Sequence, residues 1–224
     1  MQTDVEELPL FEEKRLIATL LTGKPSSGAF FAASVTVVLM AFLTLFFWSG
    51  PESLAELMPA AKEKVFFQGQ IWRVFTAMFA HADLKHFLSN MYMLWIFSFL
   101  VFGYFGSLIF PLVSFTLGAL VNALAILTYP MQTTLIGASG LVYLLGGFWL
   151  ASYLLIQRQY TVFNRFLRVT GIALVIFAPS TFIISTSYRT HAIGFFVGAL
   201  AATFYFIRNK EKIRSYEVYK ITLV

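Results

Sequence analysis

The spacing of charged residues divides this chain into long apolar stretches. Lys24 and Glu52 are separated by 27 uncharged residues that include the run from Ala29 to Trp48. A helix of about 20 residues crosses about 30 Å of hydrocarbon, so this is one span. Lys85 and Arg158 are separated by 72 residues without a formal charge, room for three spans and two short turns. Turn signals fall at Gly103 to Gly106 and from Tyr129-Pro130 to Gly137. Twenty further uncharged residues lie between Arg168 and Arg189, with Pro179 expected to kink the helix. A last run extends from His191 to Ile207. The pattern predicts six spans, at 29–48, 86–104, 107–128, 139–157, 169–188 and 191–207.

Composition agrees. Only 12% of the 224 residues are charged, 58% are hydrophobic and 26 are Phe. A soluble domain of this size cannot cover so much apolar surface with so few charges. The fold class predicted is an all-α membrane protein, a six-helix bundle with residues 1–27 as an N-terminal tail, 28–208 as the membrane domain and 209–224 as a basic tail. The net charge of +5 is read as orientation and contact with anionic lipid, with no nucleic-acid partner. Lys and Arg number three in the N-terminal tail, three between spans four and five (Arg158, Arg165, Arg168) and five from Arg208 onward. The opposite side has Lys62, Lys64, Arg73, Lys85 and Arg189, so both termini are expected in the cytoplasm. The loop from Gly50 to Asp83 then faces outward and is expected on or partly in the membrane surface. The first 27 residues carry five acidic and three basic side chains, the wrong pattern for a secretory signal. Leu10-Phe11, Leu16-Ile17 and Leu20-Leu21 suggest an interfacial amphipathic helix. The absence of cysteine excludes disulfides and thiolate nucleophiles.

Polar residues inside spans are costly and mark candidate sites. His86 and Asn90 are four apart and share a helix face. Ser139 sits in Gly137-Ala138-Ser139-Gly140, where a turn enters span four and free backbone N–H groups can hold a negative oxygen. His191 opens span six, followed by Gly194 and Gly198, a spacing that lets two helix backbones approach. Each feature alone also fits ordinary bundle packing. Together they share a depth, because spans two, four and six run in the same direction and all three sites lie at their starts. A serine nucleophile, a base within reach and oxyanion donors are what acyl transfer needs. The spans hold no Asp or Glu, so a Ser139–His191 dyad is expected rather than a triad. Tyr143, one turn after Ser139, is placed to pack on the imidazole and orient it. Asn122 in span three has no evident partner.

These residues resemble the rhomboid intramembrane serine proteases. The resemblance runs from about Gln70 to Ile207. It rests on Trp72-Arg73 in the first loop, His81 followed by His86-x-x-x-Asn90, Gly137-Ala138-Ser139-Gly140 with Tyr143, and His191 with Gly194 and Gly198, in that order. It implies that Ser139 is the nucleophile and His191 the general base. His86, Asn90 and the Ser139 backbone N–H would hold the oxyanion. It also implies cleavage of single-pass transmembrane helices near their outward end, with spans two and five as a lateral gate and Pro179 relevant to its movement. The partners expected are transmembrane protein substrates and membrane lipid, with no cofactor or metal. The expected location is a bacterial plasma membrane. Other readings are an inactive client-binding relative, a metalloprotease and a transporter. The first sits poorly with the presence of both Ser139 and His191. The others lack an H-E-x-x-H motif and an internal repeat respectively.

Overall fold

The computed structural model describes residues 12–181 and 187–223. Six long helices follow in order: α1 (Ala29–Ser49), α2 (Leu84–Phe105), α3 (Ser114–Leu127), α4 (Ser139–Ile156), α5 (Val162–Thr181) and α6 (Tyr188–Arg208). An irregular helical segment at Leu108–Val113 precedes α3. Five stretches among the described residues are long and apolar enough to cross a membrane: α1, α2, Leu108–Leu127, α4 and α6. Their boundaries lie within three residues of those predicted.

The fifth predicted span differs. It was expected over 169–188, and α5 instead starts at Val162. Two arginines in its first turns find local partners. Arg165 donates to the Leu154 carbonyl, and the Arg168 guanidinium lies 3.9 Å over the Tyr160 ring. The helix therefore runs back through charges that the sequence pattern treated as its boundary. With those charges included, α5 is not among the five. Pro179 falls in its last turn, where side chains lie outside the described residues.

α4 is the centre of the bundle. Of its apolar window 72% is buried, against 22% for α1 at the periphery. α2, α3, α5 and α6 all pack on it, and α1 packs on α2. α4 and α6 touch backbone to backbone. A Cβ on Gly194 would lie 2.5 Å from the Gly140 carbonyl oxygen. One on Gly198 would strike the Leu144 carbonyl, and one on Gly147 would strike that of Phe195. The Gly194–Gly198 pair was expected to act this way; Gly147 extends the contact from the other helix.

The N-terminal tail is not an amphipathic helix over its described part. Glu12–Ala18 forms strand β1, which pairs antiparallel with the C-terminal strand β4 (Val218–Leu223), Lys14 opposite Ile221. Leu10-Phe11 lies outside the described residues. Alternation places Lys14, Leu16, Tyr219 and Ile221 on one face of this ribbon, so Leu16 finds a cross-strand partner instead of a helical one. The ribbon is held to the end of α4. Thr19 Oγ1 donates to Gln157 Oε1 at 2.9 Å, and Arg158 pairs with Glu217 at 3.1 Å.

The first loop is built, not loose. Ala60–Ala61 (β2) pairs with Thr134–Leu135 (β3), joining this loop to the turn before α4. Arg73 is buried and donates to the carbonyls of Glu56 (2.7 Å) and Pro59 (2.9 Å) and to Gln70 Oε1 (2.5 Å). Phe67, Ile71 and Trp72 point outward, which suits a loop seated against lipid headgroups.

Candidate active site

The turn into α4 is held from both sides. Gly137 has φ +112°, a conformation that only glycine adopts without strain. Its N–H donates to the Ala77 carbonyl at 2.8 Å. The next N–H, of Ala138, donates to His81 Nε2 at 3.3 Å. His81 is fully buried. Its Nδ1 lies 2.9 Å from Thr44 Oγ1, which donates to the Phe79 carbonyl at 2.8 Å. The Trp48 indole N–H caps the His81 carbonyl at 2.6 Å. Because Nε2 accepts, the proton of the neutral ring sits on Nδ1 and is donated to Thr44. Burial, with the neighbouring His86 ring, pushes the His81 imidazole down to about 3. His81 thus connects α1 to the residue before Ser139. The sequence matched His81 to a signature but carried no sign of Thr44 or Trp48.

His86 and Asn90 share the face of α2 that meets this turn. A Cβ on Gly137 would lie 2.7 Å from His86 Cε1, 2.8 Å from its Nε2 and 3.8 Å from Asn90 Nδ2. Glycine is therefore needed here for space as well as for conformation. Asp83 caps α2, its Oδ1 accepting from the His86 N–H at 2.7 Å. His86 Nδ1 and Asn90 Nδ2 are buried and have no hydrogen-bond partner among the described residues. A buried nitrogen left unpaired costs about 1–3 kcal/mol, so two together beside one turn need a reason.

Ser139 and His191 stand beside the Gly140–Gly194 contact, near the starts of α4 and α6. Ser139 directly precedes Gly140, and His191 stands one turn before Gly194, whose Cα faces the Gly140 carbonyl. Both side chains are buried, 8% and 7% exposed. The Tyr143 ring stacks on the His191 imidazole with centroids 3.9 Å apart. On α5, Phe177 stacks on Tyr143 at 4.5 Å and meets Phe97 of α2 at 5.6 Å. The five residues singled out as a site are thus gathered at one end of α2, α4 and α6.

Two further groups of contacts lie at this end, one around Asn122 and one around Tyr129. Asn122 donates through Nδ2 to the Val74 carbonyl at 2.9 Å, so it does have a partner, in the first loop. Its Oδ1 faces Gly140, 3.1 Å from where a Cβ would stand. Ser187 caps α6 by accepting from the Thr190 N–H at 3.2 Å. The Tyr129 hydroxyl, from the end of α3, bonds both Ser187 Oγ and Thr190 Oγ1. Sequence reasoning missed Tyr129, which stood there only as part of a turn signal.

The arrangement defines a helical integral membrane protein with a buried serine and histidine at the meeting of two helix starts. The family model of the Rhomboid domain matches residues 68–208, well over half of the chain. The chain belongs to the rhomboid family, a family of intramembrane serine proteases. A comparison with curated proteins gives no match.

Proposed function

We propose that this rhomboid-family protein is an intramembrane serine endopeptidase that works through a Ser139–His191 dyad. The observation that carries the reading is the pair of unpartnered buried nitrogens, His86 Nδ1 and Asn90 Nδ2, on the side chains packed against the Gly137–Ser139 turn. In acylation, Ser139 Oγ attacks the scissile carbonyl as His191 takes its proton. The oxyanion is held by His86, Asn90 and the Ser139 N–H at the start of α4. The C–N bond then breaks and the amine leaves with the proton from His191. Water, deprotonated by His191, hydrolyses the acyl-enzyme and restores Ser139. Tyr143 holds the imidazole plane in place of a triad acid.

The topology proposed has six spans, α5 included, with both termini cytoplasmic as the basic residues favour. The site then opens toward the outer face, and the substrates are single-pass transmembrane helices cut near their outward end. Such a helix must lose backbone hydrogen bonds before its carbonyl reaches Ser139, which makes turnover slow. Entry between α2 and α5 would pass the Phe97–Phe177 contact. The membrane proposed is a bacterial plasma membrane.

The test is labelling of purified protein in detergent with a fluorophosphonate, alongside cleavage of a reconstituted single-pass substrate. Wild type is expected to label, and Ser139→Ala and His191→Ala are expected not to. Asn90→Ala is expected to lower kcat by about 10²-fold with little change in KM, as for loss of one oxyanion donor. A folded wild type that neither labels nor cleaves overturns the reading.

A further inference from the structure

Helices α3 and α6 are tied together at one end and separated at the other. At the tied end, Tyr129 bonds Ser187 and Thr190, and Arg189 donates to the Thr128 carbonyl at 2.9 Å. Toward the opposite end a cavity of about 790 Å³ opens between them, with α4 as its floor. Its walls are apolar, with Leu117 and Leu120 on α3, Leu144 and Phe148 on α4, and Leu200 and Phe204 on α6. Ser114 lies in it, but its hydroxyl is already donated to the Ile109 carbonyl at 2.7 Å. Arg208 and Asn209 stand at the far end. Arg208 is exposed and has no acidic partner among the described residues.

We infer that this cleft is a binding site for one anionic phospholipid. Chemically it is the complement of such a molecule, an apolar trough closed by a single guanidinium. Val197, at the inner end, and Arg208 are eleven residues apart on α6, a rise of about 16 Å. That matches the depth of one leaflet, about half of 30 Å. Acyl chains lying along Leu200 and Phe204 place the phosphate at Arg208, whose planar fork suits phosphate oxygens. Cations between spans at the membrane surface bind such headgroups. The site lies in the leaflet opposite the Ser139 end of the bundle, and its existence does not depend on proteolysis.

Native mass spectrometry of detergent-purified protein, with phosphatidylglycerol or phosphatidylcholine added, tests this directly. Wild type is expected to retain one phosphatidylglycerol with about fivefold preference. Arg208→Gln is expected to lose that preference while Lys210→Gln keeps it, and Ala201→Trp, which fills the cleft, is expected to release both lipids. Thermal unfolding of each variant confirms that the helices remain packed. Equal retention of the two lipids by wild type overturns the inference. So does a preference that survives Arg208→Gln, or one that falls equally with Lys210→Gln, since that marks diffuse surface charge. A lipid-free dimer also overturns it, by giving the cleft to a second copy.

Discussion

The His191 imidazole lies almost parallel to the Tyr143 ring, with planes 14° apart and centroids 3.9 Å apart. Phe177 covers the other face of Tyr143, 20° from parallel. Were His191 the base of the proposed dyad, this stack would fix its plane without a carboxylate. This fits spans that contain no acid. Tyr143→Phe keeps the ring and is expected to retain activity within about tenfold. Tyr143→Ala frees the imidazole and is expected to lower kcat by about 10²-fold, the scale of a 1 Å misplacement. Substrate cleavage rates for the two variants decide it, and equal losses would show that the hydroxyl, not the stack, matters.

The α4–α6 contact makes a sharp contrast between two glycines. At Gly198 a Cβ meets the Leu144 carbonyl, which is backbone and cannot swing away. Gly198→Ala must push the helices apart and is expected to cost about 1–3 kcal/mol. At Gly171 on α5 nothing lies within 4 Å of a Cβ. Gly171→Ala is expected to be neutral or to stabilise by up to about 1 kcal/mol through helix propensity. Unfolding of both variants in mixed micelles measures the difference, and activity should fall only with Gly198→Ala.

The His81 anchor carries a pH dependence. Its native ring titrates at about 3, against 6.5 for an unperturbed imidazole. Between those values the opened anchor binds more protons than the closed one. The stability it contributes is therefore complete above about pH 6.5 and is lost as pH falls toward 3. The His86 ring opposes protonation of His81, and Asp83 favours it. His81→Leu leaves the Ala138 N–H unpaired and is expected to cost about 1–3 kcal/mol at pH 7.5. That gap should narrow at about pH 4.5, where wild type alone bears the protonation cost. A gap of constant size across this range would mean that His81 is not held neutral.

Much of this architecture is legible from charge spacing, and the failures have physical causes. α1 and α4 end within a residue of the predicted limits because no charge interrupts them and turns bound them. The helix of the fifth span begins seven residues before the predicted start because Arg165 and Arg168 are satisfied by Leu154 and Tyr160, contacts that a charge pattern cannot reveal. Leu16-Ile17 was read as helical because its strand partner lies some 200 residues later in the chain. The site was legible where its residues fall at helix spacing, as with His86 and Asn90 or Ser139 and Tyr143. The supports were not, because the Thr44–His81 and Tyr129–Thr190 bonds join segments far apart in sequence.

Those last two residues support a prediction of their own. Thr190 directly precedes His191, and its hydroxyl lies 3.1 Å from that of Tyr129 and 2.8 Å from Ser187 Oγ. The His191 N–H in turn donates to the Ser187 carbonyl at 3.1 Å. The first turn of α6, which carries the imidazole, is thereby held to the end of α3. Removing one hydroxyl from this partly buried cluster lets that turn shift. Tyr129→Phe and Thr190→Ala are each expected to lower kcat by about tenfold with KM unchanged, and Thr190→Ser, which keeps the hydroxyl, to remain near wild type. Steady-state cleavage of a reconstituted substrate separates the two parameters. If Thr190→Ser falls as far as Thr190→Ala, the methyl packed against Gly140 is the operative group and the hydroxyl cluster does not position His191.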